Sequence, residues 1–172
     1  LKDVNYFGTM LVYLDVVDGL ISGAIHSTSD TVRPALQIVK TRPGVNLTSG
    51  AFIMLRKNDR FLFSDCAINP DPNAEQLAEI AVESARTAEI FDIDPKVALL
   101  SFSTKGSGKG PMVDKVREAT EIAKANAPEL ALDGELQFDS AFDTTVAQQK
   151  APDSDVAGYA NVFIFPELQS GN

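Results

Sequence analysis

Residues 96–102 read Lys-Val-Ala-Leu-Leu-Ser-Phe, an almost unbroken apolar run. Such a run lacks the polar alternation of a half-exposed strand, so it predicts a strand covered on both faces of a sheet. Its flanks are helical in pattern. Upstream, 73–91 places Leu77, Ile80, Ala81, Ser84, Ala88 and Phe91 at helical spacing behind Asn73, a good first residue. Downstream, 111–127 opens on Pro111, which suits a first helical turn. Helix, buried strand, helix is the unit of an α/β sheet with helices on both sides.

The same reading extends outward. Residues 132–138 (LDGELQF) and 160–165 (ANVFIF) predict two more strands. Between them 139–149 predicts a helix with Ala141, Phe142, Thr145 and Val146 inward. The apolar runs 51–55 and 61–63, joined by Lys57-Asn58-Asp59-Arg60, predict a β-hairpin. Its second strand is expected to run on towards Ile68 until Asn69-Pro70-Asp71-Pro72-Asn73 stops it. Nearer the start, 4–14 predicts a helix capped by Asp3, and 19–23 a short buried strand bracketed by glycines. After a polar turn at 26–30, a helix is expected to about Lys40, with Ala35, Leu36, Ile38 and Val39 supplying its apolar surface. Thr41-Arg42-Pro43-Gly44 is the strongest boundary signal. The expectation is a three-layer α/β sandwich with a mixed, mostly parallel sheet. Residues 1–42 would form the C-terminal part of a first α/β domain and 43–172 a second.

Composition narrows the function. The chain has 172 residues, 44% hydrophobic and 23% charged, close to the globular average. Fifteen Lys and Arg against 24 Asp and Glu give a net charge of −9, which disfavours binding to a nucleic-acid backbone. A local cationic group could still hold a small anion. Cys66 is the single cysteine and His26 the single histidine, so an intrachain disulfide and a multi-histidine metal site are excluded and a thiolate zinc site is implausible. Cys66 reads as a small core residue, since no basic neighbour is apparent to lower its pKa. No run approaches the ~20 apolar residues of a membrane span and no signal peptide opens the chain. The cytoplasm is the default expectation. The chain begins at Leu1 and stops at Ser170-Gly171-Asn172 after a strand-like run, which suggests a piece of a longer protein.

In open α/β sheets ligands sit at the carboxyl ends of the strands, and three loops qualify. In 23–34 (GAIHSTSDTVRP), hydroxyls and main-chain N–H groups gather at a helix start with Arg33 close behind, a combination suited to an anion. Ser27, Thr28 and Asp30 would serve equally as helix caps; the added Arg33 favours phosphate. His26 could act as a general base. With no acid partner at fixed spacing, a loop imidazole that orients the backbone is preferred. The second loop, 101–110 (SFSTKGSGKG), sits where a P-loop would, but Gly110 follows Gly108-Lys109 and Ser103 stands where the first glycine is needed. It is not a P-loop; it reads either as a mobile surface loop or as a basic border to an anionic ligand. The third, 166–172, suits ligand contact or a helix cap. Asp139 and Asp143, four apart, could be acid/base partners, though a solvated face or an N-cap is the commoner explanation.

These residues together resemble the phosphate acetyltransferase (phosphotransacetylase) family. The likeness is carried by 6–10 (YFGTM), 23–37 (GAIHSTSDTVRPALQ), 67–72 (AINPDP), 100–107 (LSFSTKGS), 134–139 (GELQFD) and 160–163 (ANVF). The motifs keep the family's order and spacing across essentially the whole chain. The resemblance implies two α/β domains with a cleft between them, isocitrate/isopropylmalate dehydrogenase-like in fold. It implies acetyl transfer between coenzyme A and inorganic phosphate, a homodimer, and no cofactor beyond coenzyme A, which is a substrate. Acetyl-CoA, phosphate and acetyl phosphate are the implied partners, with no nucleic acid, membrane or metal. Arg33 is the implied catalytic residue. Substrate or phosphate contacts are assigned to His26, Ser27, Thr28, Ser29 and Thr31, to Ser103, Thr104, Lys105 and Gly106, and to Ser170, Gly171 and Asn172. The family continues past Ser-Gly-Asn with a segment carrying a Ser-Arg pair and an Asp thought to be catalytic. The first domain's opening βα units, with another phosphate-contacting Arg, are also missing here. Residues 1–172 alone are therefore expected to be inactive. The alternatives are a phosphate butyryltransferase and a non-catalytic acetyl-CoA-sensing domain.

Overall fold

In the computed structural model, which describes residues 2–172, the chain divides into two compact units, Leu1–Asn46 and Leu47–Asn172. The first holds two helices, α1 (Val4–Tyr13) and α2 (Thr28–Ile38). Asp3 caps α1 as its sequence position predicts, accepting from the N–H groups of Asn5 and Tyr6 at 2.9 and 3.0 Å. Pro34 lies inside α2 and has no N–H to give to the Asp30 carbonyl one turn back. The buried Asn5 supplies that donor from α1, Nδ2 to Asp30 O at 3.3 Å. One proline in α2 thereby explains one buried asparagine in α1.

The expected buried strand at 19–23 does not form. These residues are irregular and exposed, Ile21 completely so, because a strand needs a hydrogen-bonding neighbour and the described residues place none beside it. Leu20 instead lies against Gly8, where an added Cβ would meet its Cδ1 at 2.7 Å. The apolar side of α2 also differs from expectation: Leu36 and Val39 are about half exposed and Pro34 is the buried residue.

The second unit is built on a five-stranded sheet. Its strands are β1 (Ala51–Arg56), β2 (Asp59–Ser64), β3 (Val97–Leu100), β4 (Leu132–Leu136) and β5 (Val162–Ile164), in the order β1-β2-β5-β3-β4. The hairpin β1/β2 is antiparallel and every other pairing is parallel, so the sheet is mixed and mostly parallel. One face carries Leu62, Val97, Leu99, Val162 and Ile164 under the long helices α3 (Ala74–Ile90) and α4 (Pro111–Asn126). The other carries Ala98, Leu100 and Phe163 under the short helices α5 (Phe138–Phe142) and α6 (Thr144–Lys150). The run at 96–102 is buried on both sides, as its unbroken apolarity requires: all four β3 residues are buried.

Several boundaries move. β2 stops at Ser64 rather than running to Ile68, because Asp65 turns the chain (below). β4 ends at Leu136, and Phe138 already begins a helix. The single helix expected at 139–149 is two. Asp143 leaves the helical region (φ −102°, ψ 122°) and caps α6, accepting from Thr145 and Val146 N–H at 2.8 and 3.1 Å. The Asp139/Asp143 pair is thus dissolved: Asp139 pairs with Lys150 at 2.8 Å. The break also turns Thr145 outward and buries Ala147. Phe91, expected in the core, is the C-cap of α3 and half exposed. A final short helix, α7 (Leu168–Gly171), follows β5.

Candidate substrate site

Residues 26–33 occupy the start of α2. Ser27 is its N-cap: the hydroxyl accepts from Asp30 N–H at 3.1 Å and donates to Asp30 Oδ2 at 2.7 Å. Thr31 Oγ1 donates back to Ser27 O at 3.0 Å. These two hydroxyls are therefore engaged by the helix itself. Arg33, in the second turn, donates from Nη2 to Ser29 Oγ at 2.9 Å, the i,i+4 spacing that puts both on one helix face. Ser29, Thr28 and Arg33 are exposed, and His26 and Thr31 half-buried. An exposed guanidinium held over a hydroxyl presents its remaining donors to solvent, a geometry that suits a phosphate or carboxylate.

In the second unit the carboxyl ends of β2, β5, β3 and β4 share one edge of the sheet, because these strands are parallel. The loop after β2 is organised by Asp65, which is 3% exposed. Its Oδ1 accepts from the N–H groups of Gly50, Ala67 and Ile68 at 3.1, 2.8 and 3.0 Å, and its Oδ2 from Asn69 N–H at 2.9 Å. A carboxylate saturated by backbone donors fixes this turn. It also seats the C-terminal segment. Asn172 Nδ2 donates to Cys66 O at 2.8 Å, and a Cβ on Gly171 would approach Asp65 O at 2.3 Å. Only glycine fits there. Asn172 and Gly171 thus dock on the loop after β2, while Ser170 stays exposed with its hydroxyl donating to Glu167 O at 3.0 Å. Beside Asp65, burial first and the neighbouring carboxylate second push the Cys66 thiol up to about 11. That makes it an inert core residue.

The loop at 101–110 is hydrogen-bonded through its interior. Ser103 is fully buried; its hydroxyl donates to Glu135 Oε1 and accepts from Gly108 N–H, both at 2.8 Å. The same carboxylate accepts from Gly106 N–H at 2.8 Å, with Arg117 beside it at 3.4 Å. Thr104 Oγ1 accepts from Gln137 N–H at 2.9 Å and lies 2.9 Å from Ser140 Oγ. Lys105 reaches back to β4, with Nζ 2.6 Å from Asp133 Oδ1 and 3.0 Å from Gly134 O. The side chains of Ser103, Thr104 and Lys105 therefore hold the loop in shape, while Gly106 and Ser107 lie exposed. Burial alone would raise Glu135, but the Gly106 N–H, the Ser103 hydroxyl and Arg117 hold it below the usual carboxylate range. Asp133 behaves alike: Lys105, Ser154 and Lys124 overcome its burial and lower it.

Asp65, Asp133 and Glu135 were not candidates from the sequence. The available signal was the charge pattern of Leu132-Asp133-Gly134-Glu135-Leu136, where two acids interrupt an apolar strand at i,i+2. That spacing puts them on one side of the strand, where acids need partners.

One unit is a three-layer α/β sandwich with polar loops along one carboxyl edge, and the other carries an arginine at a helix start. The profile of the phosphate acetyl/butaryl transferase family matches residues 1–172, and the chain belongs to that family. It is 63% identical over 172 residues to a phosphate acetyltransferase of Bacillus subtilis (strain 168), covering all of this chain and 53% of that protein. Among solved structures, a phosphotransacetylase from Streptococcus pyogenes superposes with a TM-score of 0.91 at 68% identity, covering 99% of this chain and 53% of that one. The EutD phosphotransacetylase from Staphylococcus aureus gives 0.89 at 58%, covering 98% and 52%. The chain spans about half the length of these relatives. No helix among the described residues is long and apolar enough to cross a membrane.

Proposed function

We propose that the protein transfers an acetyl group between coenzyme A and inorganic phosphate: acetyl-CoA + phosphate ⇌ acetyl phosphate + CoA. The observation that carries this reading is Arg33, exposed and held 2.9 Å from Ser29 Oγ at the start of α2. It stands in a family whose similar members are named phosphate acetyltransferases. In the forward step a phosphate oxygen attacks the thioester carbonyl carbon. The new C–O bond replaces the C–S bond, and the proton lost by hydrogen phosphate ends on the coenzyme A thiol. Arg33 is proposed to bind the phosphate by two N–H donors and to offset its charge as it approaches the carbonyl. Ser29 orients the guanidinium, and Thr28 and the helix N–H groups add neutral donors. Ser27 and Thr31 act at one remove, by holding the helix start in shape.

We propose further that coenzyme A enters as a substrate, with no resident cofactor or metal, and that the working form is a cytoplasmic homodimer. The test is phosphate-dependent release of free thiol from acetyl-CoA by the full-length protein. Binding of acetyl-CoA without thiol release would overturn the enzyme reading and favour an acetyl-CoA sensor. Sedimentation of the same protein tests the dimer, which a monomer mass would refute.

A further inference from the structure

Phe102 is 63% exposed, yet it is held in place from behind. Its ring lies on Gly108, where an added Cβ would meet Phe102 Cε2 at 2.8 Å. Gly108 is in turn tied to Ser103 Oγ and so to the buried Glu135. The hydrogen-bonded interior of the 101–110 loop thus ends at an aromatic ring turned to solvent. With Met112 and Phe138, also exposed, it forms a contiguous apolar patch of the kind that marks a ligand-binding groove. The ring borders a pocket of about 330 Å³ on the carboxyl edge of the sheet, with Leu100, Met112, Phe138 and Phe165. Ser101, Glu167 and Ser170 also line it. The lining includes no cation and one carboxylate, so neither phosphate nor the anionic end of coenzyme A suits it. An uncharged alkyl group does.

We infer that this pocket receives the acyl chain of the substrate, and that Phe102 and Met112 limit its length. The inference rests on the acyl-transfer reading above. It answers a demand set by the family's own description, which spans acetyl and butyryl groups: two methylenes must be admitted or refused by some apolar pocket. One methylene in such a pocket is worth about 10-fold or more in discrimination. Phe102 and Met112 line it from the loop and from the first turn of α4, where either side chain can shorten without opening the core.

The experiment uses the full-length protein and its Phe102→Ala and Met112→Ala variants. With phosphate saturating, kcat/KM is measured for acetyl-CoA and for butyryl-CoA. The expected result is a butyryl-to-acetyl ratio raised about 10-fold or more by Phe102→Ala and by a smaller factor by Met112→Ala. The KM for phosphate should stay unchanged. A ratio that moves less than about twofold in both variants, while acetyl-CoA is still turned over, overturns the inference and leaves the acyl-transfer reading intact. So does an equal loss with both thioesters, or a lowered melting temperature with an unchanged ratio, which would mean that protein rather than substrate fills the pocket. A wild-type protein that releases thiol from neither thioester overturns the acyl-transfer reading itself, and this inference with it.

Discussion

The segments 26–33 and 101–110 look alike as sequence, each a cluster of Ser, Thr and Gly or Asp with one or two basic residues. In the structure they are opposites. At the start of α2 the hydroxyls and Arg33 lie at the surface and bond to near neighbours three or four residues away. In the 101–110 loop Ser103 and Thr104 are buried and bond to residues about 30 positions distant. Side chains of the same chemistry thus bond locally near the surface in one region and build a buried, long-range hydrogen-bonded seat in the other. Changes in the first should alter function with stability kept; changes in the second should alter stability first.

The largest effect is expected from Glu135→Ala. It strips Ser103, Gly106 and Arg117 of their common acceptor and should cost about 3 kcal/mol, the scale for breaking a buried, hydrogen-bonded ion pair. Denaturant unfolding measures it, and a loss under about 1 kcal/mol would show that the loop does not depend on this carboxylate. Next is Arg33→Ala in the full-length protein. We expect ~2–4 kcal/mol of lost transition-state stabilisation, read as reduced kcat/KM for phosphate, with the melting temperature unchanged. Unaltered phosphate kinetics would make Arg33 structural and erase the contrast. Ser27→Ala removes only an exposed N-cap, so about 1 kcal/mol of stability is expected; a much larger cost would place the α2 start with the rigid region.

Acid should act on the second region through Asp133 and Glu135. Asp133 and Glu135 are lowered in the folded state, so their contribution is complete above the ordinary carboxylate pKa of about 4. It is lost as pH falls from there through the lowered folded values. Melting curves from pH 7 to pH 3 should show a steeper acid decline for the wild type than for Glu135→Gln. Parallel curves would show that Glu135 carries no linked stability.

The legible part of the molecule was local. The Asp3 cap and the helix starts at Asn73 and Pro111 follow from residues within one turn of each other. The continuous apolarity of 96–102 predicted a strand covered on two faces. The misreadings arose where a distant or absent neighbour decides. Gly19 to Gly23 has the composition of a strand but, among the described residues, no strand beside it. Asp143 divides a helix because its carboxylate caps the next one better than it continues the last. Nothing local reveals that Glu135 and Ser140 lie against Ser103 and Thr104.

The sequence by itself determined the class of sheet, the order of most elements and the residue types available for binding an anion. Those depend on periodicity, caps and turns, whose energies act over a few residues. Only the tertiary structure decided which hydroxyls are exposed, why Gly171 admits no side chain, and that Phe102 is held facing an apolar pocket. Those outcomes depend on parallel strands bringing Asp65, Glu135 and Phe165 to a common edge from widely separated parts of the chain. The energy of a buried carboxylate is set by donors that only the assembled fold brings within reach.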